Sequence, residues 1–298
     1  MSGDPRLLVL TGGHPYEPEP FFAVFDAIAP GRWTHASQPD AQRLLNPEAC
    51  ADFDAIVFYD LPGITFTRGD PPTLMPPPPG PMMAGLRALM KAGKGLVFLH
   101  HAVASWPATE EFAEIVGARF HYQPGSLRGV DYPDSGYRFN VTHEVQVLDP
   151  THPVCAGLGG SFTLTDELYL YPVLTDDVVP LMRTTFPMDD PSQFFSADAA
   201  IRGRRNTNEG WTHPAGSDLV GWVKPAGRSP LVYLQFGDGP QTYADPSFRR
   251  VLDNAVRWVS SDAARAWAAR ELPTPTRTPR DSPTRTLTPA DLPTDSAR

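Results

Sequence analysis

The chain has 298 residues, of which 35 are Pro and 24 are Gly, and its formal charge is −9. Because 41% of the residues are hydrophobic, the composition excludes a wholly disordered chain, and the lack of a Gly period excludes collagen. No basic stripe favours nucleic-acid binding, and no apolar run approaches the roughly 18 residues of a membrane span. Two distant cysteines and an N-terminus without a signal-peptide pattern predict a cytoplasmic protein.

Three short apolar runs in the first hundred residues predict parallel strands. They lie at 6–11, 54–59 and 94–99, and their apolar residues are continuous rather than alternating, as in strands buried on both faces. The intervening segments have helical spacing or helix start and stop signals, which predict helices at 20–29, 81–92 and 107–116. This order predicts an α/β fold, with a mostly parallel sheet flanked by helices.

The second half of the chain predicts further strands and then helices. Alternating or short apolar runs favour antiparallel or edge strands that extend the sheet, at 137–148, 162–173, 178–185, 219–224 and 230–236. Helices follow at 245–260 and 262–270. We therefore predict one α/β domain over residues 1–272 and a disordered Pro/Thr/Arg-rich tail over 273–298. The Pro-rich segment 71–81 is interpreted as a plain loop or as a lid over the sheet edge.

Polar side chains follow four of the predicted strands. They are His14 after the first, Asp60 after the second, His100 and His101 after the third, and Asp238 after the run 230–236. Ligands of such sheets bind beyond the carboxyl ends of the strands, so we expect these side chains to share a site. Imidazole suits it either as an acid or base near neutral pH or as a metal ligand.

Further candidates lie outside these strand ends. His121 follows the helix after the third strand, and alternation places Glu167 and Tyr169 on one strand face. A carboxylate beside tyrosine rings suits a pocket for a sugar, although a solvated strand face is the alternative. Trp106 and Trp211 are candidate sugar-binding aromatics, and the loop that contains Trp211 could equally be exposed.

Several common chemistries have no motif in this chain. There is no GxSxG nucleophile elbow, no GxxxxGK[ST] or GxGxxG phosphate loop, and neither HExxH nor Cys-based zinc spacing.

Taken together, six short motifs in this order make the chain resemble the trehalose-utilisation (ThuA-like) family over about residues 5–269. The motifs lie at 11–14 (TGGH), 95–100 (GLVFLH), 117–121 (GARFH), 152–158 (HPVCAGL), 166–169 (DELY) and 230–258, which includes Gly237, Asp238 and the helix with NAVRW. The resemblance implies a flavodoxin-like, class I glutamine amidotransferase-like fold.

The resemblance also implies a role in sugar metabolism, on keto-sugars, disaccharides or related glycosides. In amidotransferases of this fold a Cys nucleophile lies at the position that matches residues 99–101, which here hold no thiol. Because Cys50 and Cys155 lie elsewhere, we expect no glutaminase activity. Many members carry Gly-His where this chain has Gly237-Asp238. This departure argues against the family-wide metal site in this protein, although an Asp carboxylate can also bind a metal.

Three hypotheses follow. The first is a carbohydrate-active isomerase, lyase or hydrolase, in which His100 is the base or a ligand, His14 and His121 are its partners, Glu167 is the second acid/base and Asp238 orients. In a metal-assisted version His14, His100 and His121 hold a divalent ion such as Zn²⁺. The second is a non-catalytic sugar-binding or scaffold protein, and the third is a protein that binds partners through its tail. The expected partner is a small carbohydrate, and the resemblance implies a homodimer.

Overall fold

The computed structural model describes residues 3–67 and 69–270, so the predicted tail 273–298 lies outside it. Within these residues the strands are β1 (Leu7–Gly12), β2 (Trp33–Ser37), β3 (Ala55–Asp60), β4 (Thr65–Phe66), β5 (Thr73–Leu74), β6 (Gly95–Leu99), β7 (Gly125–Leu127), β8 (Val130–Tyr132), β9 (Gly136–Val147), β10 (Ser161–Leu170), β11 (Val179–Thr184), β12 (Phe195–Ser196), β13 (Leu219–Ala226) and β14 (Ser229–Leu234). The helices are α1 (Pro18–Ile28), α2 (Gly80–Ala92), α3 (Glu110–Val116), α4 (Ala197–Ile201), α5 (Pro240–Ala244), α6 (Pro246–Val259) and α7 (Asp262–Ala268). None of the helices in the described residues is long and apolar enough to cross a bilayer.

One half of the main sheet is parallel and confirms the α/β prediction. Its strands lie in the order β2-β1-β3-β6-β14, and every neighbouring pair is parallel. Numbered among themselves along the chain, they give the order 2-1-3-4-5, which is the flavodoxin-like order. Strand β2 was not predicted, because this edge strand is partly exposed and lacks a continuous apolar run.

The other half is antiparallel, in the order β14-β13-β11-β9-β10. The prediction that residues 230–236 decorate the sheet as an antiparallel or edge strand is therefore only half right. Strand β14 pairs antiparallel with β13 but parallel with β6, and it joins the two halves at the centre of the sheet. All six of its residues are buried, as a strand covered on both faces requires.

Helices cover both faces of the sheet. Apolar residues of α1 and α6 join one buried cluster with Leu7, Val9 and Tyr59, whereas those of α2 and α3 join a second with Leu8 and Leu10. Helix α6 begins at the predicted cap, because the Asp245 carboxylate accepts from the backbone N–H of Ser247 and Phe248 at 2.7 and 3.2 Å. The alternation of β1 between the two clusters thus fixes a three-layer arrangement.

The Pro-rich segment does not remain a plain loop throughout. Strand β5, which includes Thr73, pairs antiparallel with β4 as a short hairpin just before α2. The hydroxyl of Thr73 donates to the side-chain oxygen of Gln123 at 2.6 Å. This bond ties the hairpin to the segment that follows α3.

Candidate active site

His100 stands at a sharp turn between β6 and a short 3-10 turn over His100–Ala104. Its φ of 48° lies in the left-handed region, which costs a non-glycine residue about 1–3 kcal/mol and persists only where the surroundings enforce it. The His100 Nδ1 donates to the carbonyl oxygen of Gln235 at 2.7 Å, and the His100 carbonyl accepts from the Tyr233 hydroxyl at 3.1 Å. These bonds hold a completely buried imidazole with its Nε2 free for other partners.

Three polar groups converge on that nitrogen. The Tyr169 hydroxyl lies 2.7 Å from His100 Nε2, Glu167 Oε2 lies at 3.2 Å and Asp238 Oδ1 at 3.7 Å. The Glu167 side chain is 6% exposed and that of Asp238 is 21% exposed, so Asp238 is the more open of the two acids. We call His100, Glu167 and Asp238 the central trio.

Burial and charge drive the pKa values in the central trio apart. Burial acts to lower the pKa of His100, but its bonds to Asp238 and Glu167, together with the charges of Asp166 and Asp238, raise that pKa well above its usual value. Burial acts to raise the pKa of Asp238, yet His100 lowers it overall. Burial raises the pKa of Glu167, and His100 offsets only part of this. The arrangement therefore favours an imidazolium paired with ionised Asp238, beside a carboxyl that readily carries a proton.

Asp166 fixes the loop that brings Asp238 to the trio. Its carboxylate accepts from the backbone N–H of Gly237 at 2.7 Å and from that of Asp238 at 2.9 Å. The pairing of β10 with β9 shifts register between Asp166 and Leu168. Simple alternation predicts opposite faces for Asp166 and Glu167, but at this bulge both carboxylates serve one site, because Asp166 binds the loop that carries Asp238 and Glu167 lies 3.2 Å from His100 Nε2.

His14 and His101 lie next to the trio as a stacked pair, with ring centroids 4.3 Å apart. The His101 ring also lies 5.5 Å from the His100 ring between centroids, so the pair adjoins the trio. Burial and then the charge of His100 lower the pKa of His14. His101 is buried, and its Nε2 lies 3.2 Å from the carbonyl oxygen of Tyr59. Burial lowers the pKa of His101 well below its usual value, which leaves a neutral imidazole.

Asp60 and Trp106 are buried near the same ends of the strands. The Asp60 carboxylate accepts from the side-chain amide of Gln38 at 2.6 Å, and burial raises the pKa of Asp60 to about 7. Trp106 has a φ of 50° and packs against Gly63. Among the described residues, no side-chain hydrogen bond joins Asp60 or Trp106 to the central trio.

His121 and Trp211 belong to a different cluster, which also contains His213. Burial, followed by the charges of Arg119 and His213, lowers the pKa of His121 to about 4. The Trp211 indole N–H donates to the Asp134 carbonyl oxygen at 3.1 Å, and its ring lies 5.6 Å from that of His213. Among the residues that the structure describes, the ring nitrogens of His14, His100 and His121 do not form a group within 4.8 Å of one another, so they do not assemble as metal ligands.

Within the described residues, the central trio brings three possible metal-ligand atoms together. One ligand atom from each residue lies within 4.8 Å of the other two. One imidazole nitrogen and two carboxylate oxygens suit Zn²⁺ or Mn²⁺. The bond from His100 Nδ1 to a backbone carbonyl is also the usual support for a metal-bound imidazole. The residues present thus fit a divalent metal, with a ligand set that differs from the one predicted.

Sequence patterns indicated some of these supports and missed others. The adjacent acids Asp166 and Glu167 are visible in the sequence, but the bulge that makes them act on one loop is not. No sequence pattern indicates that the Gln235 carbonyl and the Tyr233 hydroxyl bind His100, because these contacts form only when β14 pairs with β6.

The family described as trehalose utilisation, ThuA, matches residues 6–259. The chain belongs to the ThuA family. Its membership supports a carbohydrate-related role and agrees with the resemblance in the sequence motifs.

Solved structures share the fold at low identity. A ThuA-like protein of Parabacteroides merdae aligns with a TM-score of 0.59 at 13% identity, over 86% of this chain and 90% of that one. A ThuA-like protein of Bacteroides uniformis gives 0.57 at 19% identity, over 87% and 93%. A cytoplasmic protein of Salmonella typhimurium LT2 gives 0.51 at 11% identity, over 86% and 100%. No curated protein matches the chain.

Proposed function

We propose that this ThuA-family protein is an enzyme that transforms a keto-sugar, such as an oxidised disaccharide or related glycoside, by acid–base chemistry at His100. The observation that carries the proposal is the convergence of Glu167, Asp238 and Tyr169 on the Nε2 of a buried imidazole at the end of β6. An acid–base role suits this geometry because the trio holds titratable groups whose pKa values move in opposite directions.

The chemistry follows from the ketone. A carbonyl acidifies the neighbouring C–H, so isomerisation or elimination needs a base for that proton and a donor for the developing oxyanion. Glu167, when ionised, takes the C–H proton, and the His100 imidazolium donates a proton to the carbonyl oxygen. Asp238 holds the imidazolium in place, and the Tyr169 hydroxyl, 2.7 Å from His100 Nε2, would be a second donor to that oxygen.

A metal-assisted version uses the same residues. The central trio would hold a divalent ion, which would polarise the carbonyl. Metal analysis of the purified protein and activity assays with and without a chelator separate the two versions. Full activity in a protein stripped of metal supports acid–base chemistry alone.

The test of the function is turnover of a keto-disaccharide made by oxidising one ring hydroxyl of trehalose, followed by NMR. We expect His100→Ala to lower kcat by about 10²–10⁴-fold, the usual contribution of a positioned acid or base. His35→Ala is the matched control, because His35 is an exposed histidine on the edge strand β2. Wild-type turnover by His100→Ala would exclude His100 from the reaction.

The second candidate is a sugar-binding protein without catalysis. It would bind its ligand at the same site, where the rings of Tyr169 and His100 stack with centroids 4.7 Å apart. Thermal stabilisation of the wild type by the keto-disaccharide, with no turnover in the presence of Zn²⁺ or Mn²⁺, would favour this candidate over the enzyme. Glutaminase activity remains excluded from the proposal, because the elbow residue is His100 and both thiols are buried elsewhere.

A further inference from the structure

A continuous path of aromatic rings runs outward from the central trio. The ring of His100 stacks on that of Tyr169 with centroids 4.7 Å apart, and the centroid of Tyr169 lies 4.9 Å from that of Phe120. Phe120 contacts Tyr122 at 5.0 Å, and Tyr122 contacts Phe66 at 5.1 Å. The path therefore joins the reacting imidazole to a residue on the β4–β5 hairpin.

Phe66 is the exposed end of this path. Its side chain is 40% exposed although it belongs to strand β4. Its hairpin is fixed through the other strand, β5, where the Thr73 hydroxyl donates to the side chain of Gln123, the residue next to Tyr122. Phe66 is thus a positioned ring at the surface rather than a side chain on an untethered loop.

Tyr122 links this exposed ring to the polar end of the site. Tyr122 is half-buried, and it reaches the trio through Phe120, whose ring contacts that of Tyr169. Burial and then the charge of Glu167 raise the pKa of the Tyr122 hydroxyl. Its ring meanwhile contacts Phe66 on one side and Phe120 on the other. Tyr122 therefore lies between the buried rings next to the trio and the exposed ring of Phe66.

We propose that Phe66 and Tyr122 form a distal subsite that binds the second sugar ring of a keto-disaccharide or glycoside while its first ring reacts at His100. The proposal rests on the proposed function and names the substrate class that the site prefers. A sugar ring has an apolar face that packs on aromatic rings, and ligand sites combine such rings with a few polar groups. The tethered Phe66 ring and its neighbour Tyr122 offer such a face for one sugar ring, whereas a docked protein would need a broad apolar face.

The experiment compares two ligands on the full chain by isothermal titration calorimetry. The ligands are the keto-disaccharide made from trehalose and glucose oxidised at the corresponding hydroxyl. We expect Phe66→Ala to raise the Kd of the keto-disaccharide about five- to tenfold, as loss of one aromatic contact of about 1 kcal/mol predicts. The Kd of the keto-glucose should change by less than about twofold, because this ligand does not reach the distal subsite.

Two further variants separate stacking from damage to the hairpin. Phe66→Trp keeps an aromatic ring and should preserve the affinity for the keto-disaccharide. Leu74→Ala changes the 54% exposed residue of the partner strand and should leave both affinities unchanged. A loss with Leu74→Ala that equals the loss with Phe66→Ala would show that hairpin stability, not ring stacking, controls binding.

The outcomes distinguish the subsite from the function. If the wild type binds both ligands and Phe66→Ala weakens neither, or weakens both equally, the distal subsite is wrong and the proposed function stands. If the wild type binds neither ligand, the proposed function fails and the subsite fails with it.

Discussion

The two halves of the sheet contribute to the central trio in different ways. In the parallel half, His100 comes from the turn that follows a buried strand, and Asp238 follows β14 where the halves meet. In the antiparallel half, Glu167 and Tyr169 come from within a strand, beside a bulge. Parallel topology aligns strand ends at one edge, so their side chains meet by construction, whereas a residue within β10 reaches the site only through its particular pairing.

The most sensitive test of the antiparallel contribution is Glu167→Gln. The amide keeps the shape of the side chain but cannot accept the C–H proton, so we expect kcat to fall about 10²–10³-fold with little change in melting temperature. Rapid-quench or NMR turnover assays measure this. If Glu167→Gln retains wild-type kcat, the antiparallel half supplies no acid or base.

In the parallel half, Gly13→Ala tests the turn after β1. Gly13 has a φ of 87°, and a Cβ there would overlap the carbonyl oxygen of Leu61, so we expect a loss of about 3 kcal/mol in the free energy of unfolding. The control is Gly31→Ala, where φ is 66° but no atom lies within 4 Å of the added carbon, with an expected loss of about 1 kcal/mol. Equal losses in urea denaturation would contradict the close approach at Gly13.

Asp166→Asn tests the connection between the halves. Asp166 accepts from one buried and one partly buried backbone N–H of the loop after β14, and we expect its loss to cost about 2 kcal/mol and to lower kcat through misplacement of Asp238. Asp190→Asn is the control, because the Asp190 carboxylate also accepts a backbone N–H, from Ser192, but in an exposed turn. Chemical denaturation of the two variants should show the larger loss in Asp166→Asn.

The smallest expected effect is a pH dependence of stability. The raised pKa of His100 contributes to the free energy of unfolding. This contribution is complete below pH 6.5, the ordinary pKa of histidine, and is lost as pH rises through the folded-state pKa. The lowered pKa of Asp238 gives one that is present above 3.8 and is lost as pH falls through its folded-state pKa. The stability difference between wild type and His100→Gln should therefore peak between about pH 4 and 6.5. Desolvation offsets much of a buried ion pair, so the peak should be modest, and a flat difference in urea titrations would contradict the pairing.

The fold was predictable where each strand carries its own signal. Continuous apolar runs identified β1, β3 and β6, and the polar residues after them identified the edge where the trio lies. The edge strand β2 and the central place of β14 were not predictable, because partly exposed strands lack such runs and because strand pairing is a long-range choice.

The candidate site was predictable for the residues whose geometry is local. Alternation along β10 placed Glu167 and Tyr169 on one face, and both contact His100 Nε2. The placement of His121 depends on the path of the chain after α3, and the structure stacks its ring on Tyr132, with centroids 6.0 Å apart, rather than bringing it into the central trio. No pattern in the sequence indicated that Phe66 would meet Tyr122, since β4 is only two residues long.

The left-handed turn at His100 separates the position of the reactive group from its identity. The backbone there is held by β6 and by the Tyr233 hydroxyl, and neither contact depends on which side chain residue 100 carries. One codon change at this residue would therefore replace the imidazole with a thiol or hydroxyl at the same point on the sheet edge. A fold built in this way can exchange one reaction class for another during evolution while its core stays unchanged.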